Sequence, residues 1–133
     1  MVSQGAYGLS RRVTLPYEEA LKRVKDALKE EGFGVLTEID VKDTLRQKLQ
    51  VDFRKYDIIG ACNPPLAHRA LQSELEIGLL LPCNVIVQQR PSGSGAEVAA
   101  VDPTASMAAI DNPALKAKAA EIGASLRRAL DRL

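Results

Sequence analysis

Two periods alternate along this chain. Tyr17, Leu21, Val24 and Leu28 recur at steps of four, three and four, which places them on one face of a helix. Pro16 stands at its start, and Glu18 and Glu19 fall in its first turn, where the dipole favours negative charge. Gly32 supplies the stop. On either side the period drops to two, predicting strands over 8–15 ("GLSRRVTL") and 33–40 ("FGVLTEID"), the latter with Val35, Thr37 and Ile39 on one face. A short helix then follows Asp40 as N-cap, with Leu45 and Leu49 as its apolar stripe.

Further strands are predicted over 55–62 ("KYDIIGAC") and 81–90 ("LPCNVIVQQR"), separated by a helix in "NPPLAHRALQSE". The turn "PSGSG" joins the latter strand to "AEVAAVD", making a hairpin. "TASMAAID" reads as a loop. A last helix opens on Asn112-Pro113 and carries Leu115, Ala119, Ile122, Leu126, Ala129 and Leu133 along one seam, which predicts that it packs on the sheet.

Strands and helices thus follow as β-α-β-(short α)-β-α-β-β-α. This predicts one α+β domain over 1–133, a two-layer split β-α-β (ferredoxin-like) arrangement. Its mostly antiparallel, mixed sheet has about five strands, with the helices on one face. The uncovered face predicts a homodimer.

Composition narrows the function classes. The 133 residues suffice to bury a core without staples, and a net charge of +1 with 4% aromatics disfavours nucleic acid as a partner. No apolar run reaches the length of a membrane span and the first residues lack an apolar signal region, so the expected location is the cytoplasm. Two cysteines there are expected as free thiols.

The stretch "GACNPPLAHRALQSELEIGLLLPCNV" holds both cysteines and the only histidine. It supplies the first-choice ligand-binding residues: Cys62, Asn63, Pro64, Pro82, Cys83 and Asn84. Cys62 precedes a helix start, where the dipole field favours a thiolate. The plain alternative is that both cysteines are small core residues. An anion cradle is disfavoured, because Pro64 and Pro65 remove two backbone donors. The intervening helix is expected to make a right-handed crossover between parallel strands, which sets the thiols roughly one strand length, about 20 Å, apart and rules out a bond within one chain; only antiparallel strands would let them meet. Weaker candidates are Glu38 and Asp40, two carboxylates on one strand face, together with His68 and Asp102. No metal set and no cofactor emerges.

The stretches "EEALKRVKDALKEEGFGVLTEIDVKDTLRQKL", "YDIIGACNPPLAHRALQSELEIGLLLPCNVIV" and "VAAVDP" resemble the family catalogued as domain of unknown function 302, from about Glu18 to Pro103. The resemblance implies a small two-layer α+β domain, often dimeric, and no established activity. The leading expectation is therefore a homodimer that binds a small molecule or metal, with a thiol-based role at Cys62. The alternatives are a carboxylate-based enzyme and a structural module with inert cysteines.

Overall fold

A computed structural model describes residues 1–133. In chain order the elements are β1 (Ser3–Gln4), β2 (Gly8–Val13), α1 (Tyr17–Glu30), β3 (Gly34–Asp40), α2 (Val41–Leu49), β4 (Tyr56–Cys62), α3 (Pro64–Ser73), a 3₁₀ segment (Leu75–Leu80), β5 (Cys83–Gln89), β6 (Ala96–Val101), α4 (Pro103–Ser106) and α5 (Pro113–Asp131). The six strands form one sheet in the order β1-β2-β6-β5-β4-β3. Every neighbouring pair is antiparallel. β2 and β3, which α1 joins, run in the same direction with three strands between them.

Alternation along the strands sorts side chains between the two faces. Leu9, Ile59, Val85, Val87, Val98 and Ala100 form the buried face. They pack against Val24 and Leu28 of α1 and Leu126 and Leu130 of α5 in one core. The seam of α5 is thus covered within the chain, as its period predicts. A smaller cluster of Ala70, Ile77, Met107, Leu115 and Ala119 anchors α3 and the 3₁₀ segment to α5. Both long helices lie on this side. On the opposite face, Ile58, Ile86 and Ala99 remain half-buried.

Four expectations change. The sheet has six strands because Ser3–Gln4 adds a short edge beside β2. The first three residues of "TASMAAID" belong to α4, with Asp102 as its N-cap through Thr104 N–H at 3.0 Å. In β3 a bulge at Leu36 breaks the alternation, so Val35 faces with Ala61 while Thr37 and Ile39 face with Gly60 and Ile58. Above all, no crossover joins β4 to β5. They pair antiparallel with Ala61 opposite Cys83, so α3 and the 3₁₀ segment form a long excursion from one hairpin. The two cysteines are diagonal neighbours at one end of the sheet, not a strand length apart.

Candidate functional site

The β4–α3 junction is built as its sequence grammar dictates. Cys62 ends the strand, Asn63 caps the helix and Pro64 occupies the first helical position. Asn63 Oδ1 accepts from Leu66 N–H at 3.3 Å, and Asn63 C=O accepts from Ala67 N–H. With two prolines and a satisfied cap, this helix end offers no cradle for an anion. The Nδ2 group of Asn63 makes no hydrogen bond within the chain and lies beside Gly32.

Here the excursion between β4 and β5 arches over the end of the sheet and leaves a cleft of about 300 Å³. Ala61, Cys62 and Cys83 line it from the strands, Asn63, Ala67 and Leu71 from α3. Leu81 and Pro82 close one side, Phe33 and Leu36 another, and Ile122 of α5 the base. No charged side chain lines it. Cys62 is half-buried and Cys83 is 4% exposed. Burial, and then the neighbouring Cys62, push the Cys83 thiol up to about 11. Cys83 is therefore protonated at neutral pH and is a poor nucleophile.

Of the first-choice residues, the structure gathers Cys62, Asn63, Pro82 and Cys83 around this cleft. Pro64 lies outside it, exposed at the helix start, and Asn84 is exposed on β5. His68 is exposed on α3. Asp102 is occupied by Thr104 and by Gln4 Nε2 at 2.9 Å. No group of three or more His, Cys, Asp or Glu side chains is placed to hold a metal ion.

Glu38 and Asp40 belong to a second, polar groove of about 310 Å³, which also contains Tyr17, Lys42, Lys55 and Asp57. Both share a strand face, as expected, and Asp40 caps α2 through Asp43 N–H at 3.0 Å. The residue that sequence reasoning missed is Asp57. It stands opposite Asp40 in register, is 5% exposed, and accepts from Tyr17 Oη at 3.1 Å. Burial, then the hydrogen bond to Glu38, push Asp57 up to about 6. Glu38 is held low by that same hydrogen bond and by Lys25, whose Nζ lies 2.7 Å away. Below about pH 6, where the pair holds one proton, that proton resides on Asp57 and the negative charge on Glu38. The signal was visible: Asp57 shares its strand face with Ile59 and Ala61, which are core positions.

A pH dependence follows. The folded state holds the Asp57 proton up to about 6, whereas an unfolded Asp releases it near 3.9. Asp57 therefore contributes stability below about pH 4 that is lost as pH rises to about 6. Asp57→Asn keeps an acceptor for Tyr17 and cannot ionise. It is expected to flatten that slope and to raise stability at pH 7.5 by about 3 kcal/mol, measured by urea unfolding at several pH values. An unchanged slope between pH 4 and 6 would refute the assignment.

The family model for the domain of unknown function DUF302 matches residues 9–133. The chain belongs to the DUF302 family. The crystal structure of an uncharacterized conserved DUF302 protein from Bacillus stearothermophilus is similar at 34% sequence identity, covering 96% of this chain and 98% of that one with a TM-score of 0.88. No curated protein matches the chain. DUF302 membership thus carries a fold and no established reaction, and the functional reading rests on the cleft. No helix in this DUF302 chain is long and apolar enough to cross a membrane.

Proposed function

We propose that this protein is a binding module whose ligand is a small apolar molecule seated in the cleft beside both thiols. One observation carries the reading: Cys62, Asn63, Pro82 and Cys83 converge on a cavity with no charged wall. Apolar walls with one convergent polar group describe an ordinary small-molecule site. The free amide N–H of Asn63 is that group, and it selects a ligand with a hydrogen-bond acceptor. Cys62 lies in the wall with access to the ligand; Cys83, buried and protonated, fits the role of an inert packing residue. A second copy of the chain is the proposed cover for the other sheet face, where Ile58, Ile86 and Ala99 are only half-buried.

Labelling with an aromatic disulfide reagent tests this. In the native protein Cys62 reacts and Cys83 waits for denaturant. Saturation with 2-acetylnaphthalene, an apolar body bearing one carbonyl acceptor, is expected to slow Cys62 labelling at least tenfold. A labelling rate indifferent to the ketone, or no ketone bound, overturns the proposal.

Acid–base chemistry is the second reading, favoured by the polar groove. Below about pH 6 a protonated Asp57 beside an ionised Glu38 pairs a proton donor with an acceptor, the division of labour that general acid–base catalysis needs. Asp102 plays no part in it, being committed to the α4 cap.

A further inference from the structure

The residues that line the cleft sort by exposure into a floor and a mouth. Phe33, Ala61, Cys83 and Ile122 are buried and form the floor. Leu36, Leu71 and Gly78 line the same cavity yet are exposed, which places them where it opens to solvent. Each comes from a different element: Leu36 from β3, Leu71 from α3 and Gly78 from the 3₁₀ segment. Leu36 is 65% exposed and Leu71 37%, so Leu36 stands further out on the rim. It owes that place to the bulge. Val35 pairs with Ala61 and Thr37 with Gly60, which leaves Leu36 as the extra residue without a partner on β4. A bulge re-aims the side chain it leaves out of the ladder. Gly78 contributes the opposite feature. A Cβ built there meets nothing within 4 Å, so the third side of the mouth is open space.

We infer that Leu36, Leu71 and Gly78 form a size filter at the mouth, which admits slender molecules to the cleft and slows bulky ones. Two leucines narrow the opening, and the glycine leaves the gap through which a ligand passes. This rests on the proposed use of the cleft and goes beyond it by naming the positions that decide what enters. The floor residues are packed into the main core and cannot change size without a cost in stability. The rim residues are free of that constraint, so selectivity can be set there.

Cys62, half-buried in the cleft wall, reports on passage through this mouth. Its labelling by a small reagent, methyl methanethiosulfonate, is compared with its labelling by a bulkier uncharged one, dipyridyl disulfide, with the modified residue identified by peptide mapping. Both reagents need the thiolate, so the ratio of the two rates cancels any change in the thiol's own ionisation. Leu36→Ala widens the mouth and is expected to raise the bulky-to-small ratio at least fivefold. Gly78→Leu fills the gap and is expected to lower it at least fivefold. Both changes fall at exposed positions, and Gly78 is not among the glycines with positive φ, so the fold is spared. Ratios within a factor of two of the parent's in both variants overturn the filter; binding of 2-acetylnaphthalene by the parent then shows that the cleft reading stands without it. A ratio that moves the same way in both variants overturns it too, because opposite changes in bulk must move a filter in opposite directions. If the ratios move as expected but no 2-acetylnaphthalene binds, the filter stands as control of access to Cys62 and the ligand reading alone fails.

Discussion

Gly60→Val is expected to cost about 3 kcal/mol or more of stability, in the range of severe overpacking. Gly60 is buried in β4, directly opposite Thr37 of β3. A Cβ built there would overlap Thr37 Oγ1 and stand 2.8 Å from Pro82 Cγ. The two obstacles differ in kind. Thr37 is exposed on an edge strand and can rotate away. Pro82 is a closed ring fixed in the cleft wall and has nowhere to turn. Gly60→Ala is therefore expected to cost less than valine, and adding Thr37→Ala to recover only the first contact. In urea, with a slope of about 1–3 kcal/mol per molar, the valine variant's midpoint should fall by at least about 1 M. A midpoint within about 0.3 M of the parent would show that Pro82 yields and that the cleft wall is soft.

Filling the cleft has the largest expected effect on binding. Ala67 is half-buried on α3 and faces the cavity, so its methyl marks open space rather than packed core. Ala67→Phe places a ring where the ligand would lie. Affinity for 2-acetylnaphthalene is expected to drop at least 100-fold. Stability should move by less than about 1 kcal/mol, because the ring enters a void and not a filled core. Calorimetry gives the first quantity and thermal unfolding the second. Undiminished affinity in a folded Ala67→Phe protein would place the ligand elsewhere, and the polar groove would then be the leading site.

How much of this was legible beforehand depends on whether the decisive interaction was local. Caps were legible, because a cap is a side chain meeting a backbone group two or three residues away. Asp40, Asn63 and Asn112 each accept from the first turn of their helix. The pairing of β4 with β5 was not, because either direction satisfies the same alternation of side chains. What decides it is the path of the chain between them. That path ends α3 at Ser73 and spends the remaining residues in a 3₁₀ turn, which has no sequence period of its own. The error about strand direction was also the error about the cysteines. Four cleft residues were nominated for their types, but Ala67, Leu71 and Ile122 come from separate elements that only tertiary packing brings together. Asp57 was missed for a similar reason. A carboxylate in a strand reads as solvent-facing until register places it among core residues, and only then does its proton become informative.

The bulge at Leu36 has an effect on how copies of this chain treat one another. β3 is the long free border of the sheet, and its outward backbone amides and carbonyls are a template for any passing strand. The bulge kinks that border between Val35 and Thr37. A neighbour's β3, bringing an identical kink, would fail to match it in register. Edge-to-edge pairing of two copies along β3 is thus opposed by the shape of the border itself.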